Sequence, residues 1–197
     1  MLRYFLLVYI VIFFVAAFFW RSYLVWRQTG VNPYKLGSSD SAHDFIGRLF
    51  RWTNLAVLAV IVIYAFSDIL YQSLTPISWL MQPSLVISGL VFLVAALFWV
   101  LLAQAQMGDS WRIGIDAEVK TALVQHGVFA LSRNPIFLGM QFMLLGLLLV
   151  LPNAVTLTTC VLGVVLIQIQ VRLEEAHLTQ LHGEDYCAYQ RQVRRWL

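Results

Sequence analysis

The chain has 197 residues, of which 60% are hydrophobic and 12% charged, with a mean hydropathy of +0.77. Soluble domains carry roughly 25% charged residues. A water-soluble globule of this composition would expose apolar surface it could not cover, so the lipid bilayer is the solvent that fits. The formal charge of +3 is small, and no basic stripe lies outside the flanks of the apolar runs, which excludes a nucleic-acid-binding surface.

Five apolar runs follow one another, at 2–20, 54–70, 85–105, 136–151 and 154–171. A membrane span needs about 20 apolar residues, within a range of about 17–25. The first three runs have that length. The last two are short and only Pro152 and Asn153 part them, so they predict a helical hairpin with a tight turn. The expected fold is all-α: a polytopic membrane protein with five transmembrane helices, the last two forming the hairpin, followed by a cytoplasmic helical segment. The first run is read as an uncleaved anchor. It is longer than a signal-peptide core of roughly 7–15 residues, and Arg21 and Arg27 come after it.

Charge sets the expected orientation. Arg21, Arg27, Lys35, Arg48 and Arg51 lie between the first two runs, and Arg112, Lys120 and Arg133 lie between the third and fourth. Arg172, Arg191, Arg194 and Arg195 follow the fifth, which leaves only Arg3 for the other side. With five alternating spans, the positive-inside bias puts the N-terminus outside and the C-terminus in the cytoplasm.

Between the runs, the 27–47 loop is rich in turn residues, and 106–135 links the third span to the hairpin. The tail is expected to continue the fifth helix, break at Gly183 and resume as a short amphipathic helix. Tyr186, Tyr189, Val193 and Trp196 line one face of it, opposite Arg191, Arg194 and Arg195. The chain divides into a three-span region, 1–106, containing the 21–52 loop, and a C-terminal region, 107–197. Cys160 and Cys187 have no zinc-type spacing and read as packing residues.

Two clusters can carry chemistry. Ser132-Arg133-Asn134-Pro135 opens the fourth run. Pro suits the first turn of a helix, and Asn is placed to cap it. A helix N-terminus presents free N–H groups and a positive dipole end, to which a ligand carboxylate can bind with Arg133 as partner. The same residues also make an ordinary helix start beside an interfacial arginine. The second cluster, Arg172-Leu173-Glu174-Glu175, ends the fifth run. Adjacent residues point about 100° apart on a helix, so the two carboxylates address different surroundings. The hairpin brings both clusters to one membrane face. Glu174 and His177 form an E-x-x-H, but a di-iron bundle needs a second such pair and two further carboxylates. No metal site is expected.

The run Leu123-Val124-x-x-Gly127-x-Phe129, continuing into Arg133-Asn134-Pro135-x-Phe137-x-Gly139, resembles the "LV-T-G-Y…RHPxYxG" signature of the isoprenylcysteine carboxyl methyltransferase family. Glu174-Glu175-x-x-Leu178, then Gly183-x-x-Tyr186-x-x-Tyr189, resembles that family's tail. The likeness covers about residues 107–197. It implies an integral membrane methyltransferase of bacterial type, in the inner membrane, using S-adenosyl-L-methionine. Its acceptor would be a lipophilic small molecule or a lipid-linked substrate taken from among the membrane lipids, with a carboxylate as one candidate acceptor group. By position, the cofactor pocket would be lined by Thr121, Ala122, Leu123, Val124, Phe129, Asn134, Pro135, Ile136 and Phe137, with Glu174 as a polar contact. Arg133, Glu175 and Arg172 would serve catalysis or pocket integrity, with Glu175 in a supporting ion pair to Arg172 or a tail arginine. Asn134 replaces the family's histidine, Phe129 and Phe137 replace tyrosines, and Gln170 stands where many relatives have an arginine linked to the substrate carboxylate. Two other readings use the same features: an NADPH-dependent membrane reductase related to sterol reductases, and a non-enzymatic small membrane protein.

Overall fold

The computed structural model describes residues 1–35, 37, 41–114 and 121–197. Lys120 and part of the 27–47 loop lie outside the described residues. Among the described residues, four helices are long and apolar enough to cross a membrane. They are α1 (Leu2–Thr29), α2 (Ala42–Phe66), α4 (Pro83–Met107) and α6 (Ala154–His182). Between α2 and α4 lies the short α3 (Asp68–Ser73); α5 (Pro135–Val150) is apolar but only 16 residues long, and α7 (Glu184–Gln192) ends the order. No strand occurs among the described residues, only isolated bridges between Tyr34 and Ile113 and between Pro76 and Asn153.

Helix boundaries follow local chemistry. Ser41 caps α2 by accepting from the Asp44 N–H at 3.1 Å. Pro83 and Pro135 open α4 and α5, where a missing N–H costs nothing. The hairpin turn is a capping box: Asn153 Oδ1 accepts from the Val155 and Thr156 N–H groups, and Thr156 Oγ1 accepts from the Asn153 N–H. Gly183, at φ 57°, supplies the left-handed kink between α6 and α7. Three helices run further than their apolar cores: α1 to Thr29, α2 back to Ala42 and α6 to His182. Their polar ends are ordinary amphipathic helix that hydropathy alone passes over.

In α1 the stretch Val15–Trp20 is π-helical, which frees a carbonyl from the usual ladder. Buried Gln104 of α4 donates Nε2–H to the Ala17 carbonyl at 2.9 Å and satisfies it. The Tyr9 hydroxyl donates to the Leu93 carbonyl at 2.9 Å, so α1 and α4 run side by side in the same direction. Helix α5 packs antiparallel on α4 through small residues. A Cβ on Gly89 would stand 2.7 Å from the Gly146 carbonyl oxygen, and one on Gly139 would stand 2.5 Å from Val100. Glycine at these positions lets the backbones approach to contact, the usual device where lipid supplies no hydrophobic drive between helices. Leu6, Ile10, Phe13, Val60, Ile61, Leu93 and Leu147 fill the core where these helices meet. Val91, Phe98, Val161 and Val165 are exposed on the outer faces, as lipid-facing residues are.

The bundle has two chemically different ends. One holds the start of α1, the 67–82 connection and the hairpin turn. There Arg3 pairs with Asp68, the Ile77 N–H donates to the Pro152 carbonyl, and Ala154 N–H donates to the carbonyls of Leu74 and Thr75. The other end gathers the end of α1, the start of α2, residues 108–114 and 121–134, and the tail.

Candidate functional site

At that second end, Glu175 lies on the inward face of α6 and is 4% exposed. Its Oε1 accepts from Arg133 Nη2 at 3.1 Å, Asn134 Nδ2 at 2.9 Å and Arg195 Nε at 3.2 Å. Its Oε2 accepts from Arg195 Nη2 at 2.8 Å and Nε at 3.1 Å. A buried carboxylate is tolerated when it is paired and its lone pairs are met, and here both oxygens are. Arg133 also donates through Nη1 to the carbonyls of Val193 at 2.7 Å and Gln190 at 3.2 Å. A cation at the end of α7 is stabilised by the helix dipole and closes its last carbonyls.

The tail is stitched to the 127–135 segment by backbone as well. Arg133 N–H donates to the Arg194 carbonyl at 3.0 Å, and Ser132 Oγ donates to the Arg195 carbonyl at 3.2 Å. The Tyr189 hydroxyl donates to the Phe129 carbonyl at 2.6 Å. Burial pushes this phenol up to about 12, with Arg133 pulling the other way, so it stays a donor. Hydrogen bonding to Glu175 raises the Arg195 guanidinium above its ordinary value.

Asn134 occupies the N-cap position of α5 but makes no capping bond. Its side chain turns instead to Glu175 and to the Arg195 carbonyl. This departs from the expected cap, and the reason is competition: a bond to a buried carboxylate is worth more than one to a backbone N–H. Among the described residues no side chain caps the first turn of α5.

Glu174 faces elsewhere. Its Oε1 accepts from Gln170 Nε2 at 2.9 Å, and among the described residues no basic side chain pairs with it. Gln170 Nε2 also lies 3.1 Å from Nδ1 of His43, at the start of α2. The Arg133 partner is thus Glu175 and not Glu174. Arg172 is exposed and bonded to Gln168 on its own helix, away from Glu175; the tail arginine Arg195 takes the ion pair.

Three of the apolar candidates, Val124, Phe129 and Ile136, form a wall, while Phe137 packs against the main core. Val124 and Ile136 pack with Trp99 and Met107 against buried Ala103, Val128 and Phe129. Gln106 steadies the loop by accepting from the Val128 N–H at 2.8 Å, and Gly127 leaves room for it. Trp99 Nε1 donates to the Pro135 carbonyl at 2.8 Å. Thr121, Leu123 and Phe137 are half-buried, and exposed Ala122 accepts from Ser110 through its carbonyl at 3.0 Å. Sequence reasoning passed over His43 and Gln106, which sit in no motif and are drawn in by packing alone. Among the described residues no group of His, Cys, Asp and Glu could hold a metal ion. Between α2 and α6 lies an open apolar groove of about 350 Å³, lined by Leu49, Trp52, Ala56, Val155 and Leu162 among others.

Residues 84–185 match the sequence profile of the phospholipid methyltransferase family, just over half of the chain. The structure is similar to that of a eukaryotic intramembrane Ras methyltransferase, ICMT (isoprenylcysteine carboxyl methyltransferase), solved without a monobody. The TM-score is 0.56 at 21% identity, over 74% of this chain and 50% of that one, which likens the folds. The chain thus spans about half the length of that protein. No curated protein matches the sequence.

Proposed function

Because this chain belongs to the phospholipid methyltransferase family, we propose that it is an integral membrane methyltransferase that uses S-adenosyl-L-methionine to methylate an acceptor with an apolar tail. The observation that carries this reading is the meeting of two distant motifs, Arg133-Asn134 and Glu174-Glu175, at one end of a helical bundle within the matched region.

The residues at this end fit such a cofactor. The uncapped first turn of α5 offers N–H groups to a carboxylate. Glu174 has a carboxylate oxygen without a protein partner among the described residues, suited to a ligand ammonium or hydroxyl. Val124, Phe129 and Ile136 offer an apolar wall for a flat ring. Arg133 and Glu175 hold these parts in register and need not touch the ligand. When bound, the cofactor supplies an activated methyl on a sulfonium; the methyl passes to the acceptor atom and the S–C electron pair stays on sulfur. The protein then has to align donor and acceptor and exclude water.

In this reading the five apolar helices all span, α5 in a locally thinned bilayer or at its own short length. The N-terminus is outside and the site cytoplasmic, on the charge distribution of twelve basic residues against one. The groove between α2 and α6 receives the acceptor's tail from the lipid. No observation favours the reductase reading over this one. The test is transfer of a labelled methyl group from S-adenosylmethionine into organic-extractable material by membranes containing the chain. Label above that of the Glu174→Gln membranes supports the reading; equal label in both, at equal protein, contradicts it.

A further inference from the structure

The seam between α2 and α6 carries a polar trio that the Glu175 cluster does not use. Gln170, 5% exposed, sits between His43 and Glu174, and one atom, its Nε2, faces both. His43 lies outside the family-matched stretch, in the first half of the chain. We propose that His43 is a positioning residue for Glu174, acting through the Gln170 amide. This rests on the reading of Glu174 as a cofactor contact.

When Glu174 is ionised it only accepts, so the amide then turns its NH₂ toward it. That NH₂ has two protons, and the second points at His43 Nδ1, 3.1 Å away. Nδ1 must then offer a lone pair, which places the ring proton on Nε2. If Nδ1 carried a proton, the amide would have to present its oxygen to both neighbours. Facing Glu174, that oxygen is compatible only with a protonated carboxyl. One amide atom serves two groups, so their states are tied. A protonated Nδ1 excludes an ionised Glu174, whereas a free Nδ1 permits one. His43 therefore governs whether Glu174 meets its ligand as a carboxylate, and in which direction its oxygens point. Among the described residues, the charged groups acting on His43 include Asp44 on its own helix and, on α6, His177 together with Glu174 through the amide. Among the described residues no arginine pairs with Glu174, whereas two pair with Glu175.

The test uses the full chain in detergent, with two variants. His43→Ala removes the acceptor; His43→Asn puts a carbonyl oxygen, which takes no proton at ordinary pH, near the place of Nδ1. Affinity for S-adenosylhomocysteine, by calorimetry, should fall about three- to tenfold in His43→Ala and stay within about twofold of the parent in His43→Asn. Melting temperatures without ligand should be alike. A purely structural histidine would lower the melting temperature and would not be rescued by Asn. Independently, ¹⁵N-histidine NMR should show the Nε2–H tautomer for the resonance lost in His43→Asn, and that resonance should move in Glu174→Gln. An Nδ1–H tautomer, unchanged affinity in His43→Ala, or equal losses in both variants would overturn the proposal. Failure of the parent protein itself to bind S-adenosylhomocysteine would sink the functional reading instead, while the tautomer still decides whether the relay exists.

Discussion

Glu174 and Glu175 are neighbours in one helix with the same side chain, and they have opposite surroundings. Glu175 is held by two arginines and an asparagine, with both oxygens engaged. Glu174 is met by a single neutral amide and keeps one oxygen without a partner among the described residues. A residue saturated by protein has nothing left for a ligand, and its work is to fix the chain around it. Here it ties the 132–135 turn to the tail. A residue that is anchored but undersatisfied is poised to bind. The turn of about 100° between successive helical residues is what allows one helix to do both.

The comparison can be broken most severely at Glu175. Glu175→Gln leaves two guanidinium groups without their counter-charge, one of them with a side chain only 10% exposed. Breaking a buried pair on one side costs about 3–5 kcal/mol, so the variant should lose most of its folded yield by gel filtration, or melt far below the parent. Glu174→Gln should do the reverse. Stability without ligand should stay within about 0.5 kcal/mol, while affinity for S-adenosylhomocysteine drops roughly 10- to 100-fold. Similar small affinity losses in both variants would remove the distinction.

Arg133→Lys probes the geometry of the hub rather than its charge. Lysine cannot make the forked contacts to Glu175 and to the Gln190 and Val193 carbonyls together. A loss of about 1–2 kcal/mol in unfolding free energy is expected, and a melting curve that matches the parent would mean that a point charge suffices. Arg172→Ala should be the mildest change. Its side chain is exposed and bonded only to Gln168, so both stability and affinity should shift by no more than about 0.5 kcal/mol. A large effect would return Arg172 to the site.

How much of this could be read from the residues depends on the distance over which the signal acts. The helix centres were legible because hydropathy is a local sum, and the Pro152-Asn153 turn because its chemistry is local too. Helix ends were not. His43, Asp44 and Arg48 look like loop residues until Ser41 is seen to cap the turn that contains them. The meeting of the fourth and fifth helical segments followed from the hairpin, but partner choice within it did not. Which of two adjacent carboxylates faces Arg133 depends on the rotation of α6, and that is set by packing along the whole helix. Asn134 looked like a cap because caps are local; it is diverted by Arg195 and Glu175, which reach it from far along the chain. His43 had no motif to announce it.

The most direct test of the account is calorimetric titration of the purified chain with S-adenosylhomocysteine, set beside the same titration with NADPH. The account predicts saturable binding of S-adenosylhomocysteine, a matching rise in melting temperature by mass action, and no response to NADPH. Saturating S-adenosylhomocysteine with no heat and no thermal shift, while NADPH stabilises the protein, would contradict it.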